Sequence, residues 1–246
     1  MTDRPVMLIA GGSGSVGAAV AREALTQGWA VVVHGRDAGR LFAMVAELRQ
    51  HGPAEPVVAN MDADGAAQAL VDQAQAAFGR LDAVIDCTAN GAAGITGLFE
   101  ATDPASYTPN FDRSAGWFQR LAHAAYPHLK ESGGTLIAFV ADAGRFAAPR
   151  QAVLGAARAA TIGFVRNLAV EAARDGVRVH ALSPGFIAGS ASAQRMGSER
   201  MARAQQRAGL GLPTPQDIAP LAVFLCGPGA AKITGQIISI NGGLNA

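Results

Sequence analysis

The residues of this chain whose types and spacing carry chemistry are concentrated in one short run, Ala10-Gly11-Gly12-Ser13-Gly14-Ser15-Val16-Gly17. Glycines at this density leave main-chain N–H groups bare, so a pyrophosphate can approach them, and a helix beginning there adds its positive end. The run is not a P-loop, because Ala18 and Ala19 follow Gly17 where that motif carries Lys and then Ser or Thr. The expected chemistry is dinucleotide binding through Gly11, Ser13, Ser15, Val16 and Gly17. The histidines (His34, His51, His123, His128 and His180) show no metal-ligand spacing. His123 and His128 are too far out of phase to share one helix face, and no metal site is expected. Cys87 and Cys226, both in apolar surroundings, read as buried reduced thiols.

A glycine turn binds phosphate only when a strand delivers it and a helix leaves it, so the elements around the run matter. Val6 to Ala10 is an apolar stretch of strand length, and the helical pattern after the turn stops near Gly28. The alternation continues to the C-terminus. Strands are expected at 30–34, 56–60, 83–87, 135–141, 177–182 and 233–240, and helices at 41–49, 66–78 and 151–173. Strands of this length separated by helices predict an α/β fold, a Rossmann-type doubly wound parallel sheet of about seven strands. No linker, repeat or low-complexity segment interrupts the pattern, so residues 1–246 form one domain. The polar stretch 189–211 reads as an insertion over one face, of the kind that covers substrates.

Composition bounds the function. Half of the 246 residues are hydrophobic and 16% are charged, which is a globular balance. Lys+Arg 20 against Asp+Glu 19 gives no bias towards nucleic acid or an anionic membrane, and aromatics at 6% offer no base-stacking platform. No stretch approaches the roughly 18 apolar residues of a membrane span, and the N-terminus lacks signal-peptide architecture. A cytoplasmic protein is expected.

The turn at 10–17 resembles the Thr-Gly-x-x-x-Gly-x-Gly signature of short-chain dehydrogenases/reductases. Gly11 and Gly17 match its first and last glycines, while Ala10 replaces the threonine and Ser15 the middle glycine. The similarity runs along the chain. It includes Phe78-Gly79-Arg80-Leu81-Asp82 before strand four, the helix end Ala124–Leu129 and the turn Ser183-Pro184-Gly185. It continues through the helix start Thr214–Ala219, Ile233-Thr234-Gly235-Gln236 and Asn241-Gly242-Gly243.

The resemblance implies hydride transfer between a nicotinamide and a carbinol or carbonyl, with four polar residues handling the oxygen and its proton. A Tyr exchanges the proton, a Lys four residues later tunes it, a Ser holds the substrate oxygen and an Asn completes a relay. In this chain the Tyr position holds Leu154, the Lys position Arg158 and the Ser position Ala141. The Asn position falls on Arg113 or Ser114. Leu and Ala carry no exchangeable proton, and Arg stays protonated. Tyr107 and Tyr126 lie on other helices, so no catalytic residue is assigned. Asp142 and Arg158 are expected near the emptied site, as a space-filling ion pair or as a different acid–base pair.

The cofactor positions implied by the family have also changed. Asp86-Cys87-Thr88-Ala89 stands for Asn-Asn-Ala-Gly, Asn60-Met61 for Asp-Val, and Gly189 for the threonine that holds the carboxamide. Arg36 after strand two, with no acidic residue beside it, favours a 2′-phosphate, hence NADP over NAD; no cofactor is expected to be held tightly. The small residues along the helix 151–173, and the segment 215–244, match surfaces through which family members assemble; the first packs beside a helix ending at Pro127. The leading expectation is a silent subunit of a heteromeric, tetrameric NAD(P)-dependent alcohol or hydroxyacyl-CoA dehydrogenase, paired with an active short-chain dehydrogenase. It is similar in this to the inert subunit of 2-(hydroxybenzyl)succinyl-CoA dehydrogenase. The alternatives are an active oxidoreductase with relocated catalytic residues, using Asp142 and Arg158, and an NADP-sensing protein.

Overall fold

The computed structural model describes residues 2–88, 94–190, 193 and 198–245. Among them, β1 (Val6–Ala10) is flanked by β2 (Ala30–Gly35) and β4 (Ala83–Asp86). β3 (Ala54–Val58) closes one edge. β5 (Thr135–Phe139), β6 (Arg178–Pro184) and β7 (Ile237–Ile240) extend the other. The order β3-β2-β1-β4-β5-β6-β7 is parallel at every pairing, giving the expected seven-stranded doubly wound sheet. The chain reverses direction across the sheet between β1 and β4. Ligands of such sheets lie outside the carboxyl ends of the strands at this switch.

Side chains alternate between two helical layers. Val6, Leu8 and Ala10 face α3 (Ala66–Phe78), α5 (Trp117–Ser132) and α6 (Ala152–Ala172). Met7 and Ile9 face α1 (Ser15–Thr26), α2 (Ala38–Leu48) and α8 (Pro215–Cys226). Strands buried on both faces read as continuous Val/Ile/Leu runs, which made the central ones easy to place. A short α4 (Tyr107–Phe111) precedes a wide turn of π-helix at Asp112–Gly116.

Several boundaries differ from the sequence expectation, three of them with a plain physical cause. β3 begins at Ala54, not Pro56, because its backbone pairs with Val31 before the apolar run starts; Pro56 is tolerated on an edge strand. β7 begins only at Ile237, since Gly235 sits at φ +70 and breaks the extended run from Ile233. The helix expected to end at Pro127 runs through it to Ser132 and stops at Gly133, whose φ of +64 makes a left-handed cap.

The expected insertion lies partly outside the described residues. Its described portion forms α7 (Ser198–Arg207), which docks through Ala204 and Ala208 against Phe186, Leu212 and Leu244. The helix over Ala152–Asp175 is long and apolar enough for a membrane span by length and composition, because Ala and Gly replace polar residues along it. It lies against β6 and the turn after β5.

Candidate functional site

At the switch, the glycines do what their positions require. Gly11 has φ +70, and a Cβ on it would stand 2.8 Å from the Cα of Thr88 at the end of β4. A Cβ on Gly17 would meet Gly12 Cα at 2.5 Å, so the helix can sit this close to the turn only with glycine at both positions. Gly14 is the N-cap of α1 and offers no capping side chain. The first-turn N–H groups, from Ser15 onward, therefore lack the partner a Ser or Asp cap would supply, and remain open to an anion. Ser15 is exposed and Val16 is half-buried against the core. Ser13 lies over the end of β2, where a Cβ on Gly35 would come within 2.7 Å of its Oγ. Arg36, next in the chain, is exposed and has no ion-pair partner among the described residues. The residues assigned from sequence thus form one cradle: Gly11, Ser15, Val16 and Gly17 at its floor, Ser13 and Arg36 at its outer end.

One component escaped the sequence reading. His34, 4% exposed, accepts the Gly11 N–H at Nδ1 (3.1 Å) and faces the Ala59 carbonyl with Nε2 (3.1 Å). A donor on one side and an acceptor on the other fix the neutral tautomer with hydrogen on Nε2. Burial holds the imidazole below its ordinary pKa, against the opposing pull of the Ala59 carbonyl. His34 therefore ties the glycine turn to the end of β3. Asn60, which follows, turns its Oδ1 to the Asp62 N–H (3.1 Å), and Met61 rests on the core.

A test for fit gives a divided answer for a nicotinamide dinucleotide. The cradle suits a pyrophosphate, and Arg36 suits a phosphorylated ribose. Beyond the switch the lining changes character. Asp86, buried at the end of β4 in register with Ala10, accepts from the Thr88 N–H (3.0 Å) and hydroxyl (2.7 Å). Burial raises its pKa, opposed by the Thr88 hydrogen bonds and by the charge of Arg158. The next position, Ala89, lies outside the described residues.

The residues at the catalytic positions implied by the resemblance lie at the ends of β5 and α6. Ala141 is extended at the end of β5, and Leu154 lies in the first turn of α6. Arg158 donates from Nη1 to Ser114 Oγ (3.2 Å), while its Nε is enclosed with no hydrogen-bond partner among the described residues. Burial lowers the guanidinium pKa, with Asp86 pulling the other way. Ser114, within the π-helical turn, is the one of the two candidates that meets Arg158. Arg113 points away into a bidentate pair with Asp62 (2.9 and 3.0 Å). The expected Asp142–Arg158 pair does not form. Asp142 accepts instead from Ser183 Oγ (2.9 Å), Asn241 Nδ2 (2.8 Å) and Asn245 Nδ2 (3.0 Å), clasping the ends of β5 and β6 to the C-terminal segment. The reason is burial: at 7% exposure a carboxylate needs several donors, and these three lie within reach. Both tyrosines are hydrogen-bonded to other residues, although Tyr107 shares a groove with Val153 and Ala157 of α6. Tyr107 bonds Thr102, and Tyr126 donates to Asp175 (2.8 Å) beyond the far end of α6.

No cluster of metal-ligating side chains occurs among the described residues. Both cysteines are free. Burial pushes the Cys87 thiol well up, with Asp86 adding to the shift, and pushes Cys226 up to about 12, as expected of inert thiols.

A parallel seven-stranded sheet with a glycine cradle at its switch matches known proteins throughout. Residues 10–245 match the family model described as enoyl-(acyl carrier protein) reductase. The chain is 30% identical to the short-chain reductase protein NovJ of Streptomyces niveus, covering 99% of this chain and 95% of that one. The chain belongs to the short-chain dehydrogenase/reductase family. Another relative in it, 30% identical, is the (2S)-[(R)-hydroxy(phenyl)methyl]succinyl-CoA dehydrogenase subunit BbsC of Thauera aromatica, with 98% of this chain and 94% of that one aligned. A short-chain type dehydrogenase/reductase structure from Mycobacterium ulcerans superposes with a TM-score of 0.90 at 23% identity, covering 99% of this chain and 90% of that one. The family resemblance implies Tyr, Lys and Ser where this chain carries Leu154, Arg158 and Ala141, and Asn at Arg113 or Ser114.

Proposed function

We propose that this chain is a catalytically silent subunit, assembled with an active short-chain dehydrogenase in a heteromeric NAD(P)-dependent alcohol or hydroxyacyl-CoA dehydrogenase. The observation that carries the reading is the aliphatic Leu154 at the implied proton-transfer position, with Asp142 and Arg158 engaged elsewhere. Asp142 is saturated by three donors, and Arg158 faces Ser114. General acid–base catalysis is worth roughly 10²–10⁴-fold, and a leucine supplies none of it. The relocated-catalysis alternative needed Asp142 and Arg158 together, and their separation counts against it.

Support for a partner comes from α6. It is apolar, yet only 28% of its most apolar stretch is buried inside the chain. Beside it runs an apolar groove of about 700 Å³ lined by Phe99, Tyr107, Phe111, Val153 and Ala156 among others. Faces of this kind are covered in assemblies. BbsC is itself described as a subunit of a CoA-ester dehydrogenase. Co-expression with the dehydrogenase encoded nearest to it tests the reading. A stable complex is expected, in which activity follows the partner's Tyr and survives Leu154→Ala here. Self-sufficient homo-oligomers indifferent to that partner would count against it.

The cradle favours one second reading, an NADP-sensing role through Ser13, Arg36 and the first turn of α1. Fluorescence titration with NADPH and NADH separates the two, since a sensor must bind and a silent subunit need not. Preference for NADPH that disappears in Arg36→Ala would establish sensing.

A further inference from the structure

Charge is distributed unevenly in this chain. Residues 142–211 hold ten of the 20 Lys+Arg and four of the 19 Asp+Glu, although the whole chain is nearly neutral. Ion pairing is uneven too. Among the described residues, Arg22, Arg49, Arg80, Arg113, Arg120 and Lys130 are each neutralised by a carboxylate. Within 142–211 only Arg203 is, through Glu199.

Five of these cations, Arg145, Arg150, Arg158, Arg200 and Arg207, belong to segments at the carboxyl edge of the sheet, whereas Arg174 and Arg178 lie before and at the start of β6, on the opposite edge. In a parallel sheet, the turn after β5 and the segment after β6 leave from the same carboxyl edge. Arg145 donates to Ser239 Oγ at the end of β7, and Arg207 reaches the Leu244 carbonyl (3.5 Å), so both flank the same strand exit. Arg200 and Arg207, exposed, lie two turns apart on one side of α7. Arg150, exposed and held at φ +70, accepts the Gly97 N–H at its carbonyl (2.9 Å) across the mouth. Behind this rim, Arg158 backs directly on the turn: a Cβ on Gly144 would meet the Arg158 Cβ at 2.7 Å. Its Nε, enclosed and without a partner, is a donor awaiting an acceptor.

Extending the subunit reading above, on which it rests, we infer that this carboxyl-edge mouth binds a CoA thioester without turning it over. Arg145, Arg150, Arg200 and Arg207 receive the phosphates, and Arg158 receives an oxygen of the acyl end. Guanidinium forks match phosphate oxygens two at a time, and unneutralised arginines at a rim draw in a polyanion. A dinucleotide is a poorer occupant of the mouth, because its cradle lies across the switch at Gly11–Gly17 and Arg36.

Calorimetric titration of the intact chain with CoA and with dephospho-CoA tests this. CoA is expected to bind, about tenfold more tightly than dephospho-CoA, a difference worth about 1.4 kcal/mol, and to weaken with added salt. The double variant Arg200→Ala/Arg207→Ala is expected to lose about tenfold or more in affinity at an unchanged melting temperature. Lys232→Ala, exposed on the opposite edge ahead of β7, is expected to bind as the parent does. Absence of binding at millimolar CoA, binding indifferent to the arginine variants, or displacement of CoA by NADPH would each overturn the inference. Co-purification of the same double variant with the dehydrogenase reads the subunit reading separately. A complex that persists without CoA binding sinks the ligand site alone, and CoA binding without a complex sinks the subunit alone.

Discussion

Leu154 and Ala141 stand where the family resemblance implies Tyr and Ser, and the helix and strand exit that carry them keep their places in the fold. Asp142, by contrast, is a polar residue whose removal the fold must feel. Asp142→Ala leaves the buried Ser183 hydroxyl without its acceptor, while Asn241 Nδ2 keeps the Asn245 carbonyl (2.8 Å), and a loss of about 1–3 kcal/mol, the range for one orphaned buried group, is expected in urea unfolding. Histidine sets the pH response. His180, wholly buried in β6, is pushed down to about 4 by burial first and by Arg178 second. An imidazole whose folded pKa lies below the ordinary 6.5 takes its proton more readily in the unfolded chain. Stability should therefore be complete above pH 6.5 and drain away as pH falls towards 4. His34, lowered in the same sense, adds to the trend. Denaturant midpoints for the parent and His180→Val across that window would show it: the variant's profile should be flatter.

At the scale of elements, the β1–turn–α1 unit and α6 make contrasting demands on glycine. A methyl at Gly17 would press on the backbone of Gly12 and Gly11, which cannot yield without moving the turn. Gly17→Ala is expected to cost about 1–3 kcal/mol, the range for overpacking a tight contact. Gly163, inside α6, has open space around its missing Cβ and an ordinary helical backbone. Gly163→Ala in the isolated chain is expected to gain about 0.5–1 kcal/mol. Chemical denaturation of both variants checks the pair. If both lost stability, the contact assigned to Gly17 would not be what distinguishes them.

The whole molecule presents a sheet buried on both faces and an outer surface, along α6 and the groove beside it, that is not covered. The prediction at this scale concerns assembly. Ala156, exposed beside the groove, can be replaced by arginine without touching the core. Ala156→Arg is expected to leave the melting temperature of the isolated chain within about 2 °C, since surface changes stay near 0.5 kcal/mol. It should also abolish co-purification with the dehydrogenase, measured by size-exclusion chromatography with light scattering. Undiminished complex formation would remove α6 from the interface.

The alternation of elements was legible because its cause is local. A strand buried on both faces is a short apolar run, and a glycine turn follows from φ and close approach at Gly11 and Gly17. The residue types at 141 and 154 were legible for the same reason, since a leucine cannot donate a proton wherever it is placed. Partners were not. Asp142 meets residues 41, 99 and 103 positions away, Arg158 chose Ser114 over Asp142, and His34 closed on Gly11 and Ala59. A buried polar group takes whichever donors the packed layers bring to it, and that proximity exists only after the sheet and its helices have come together.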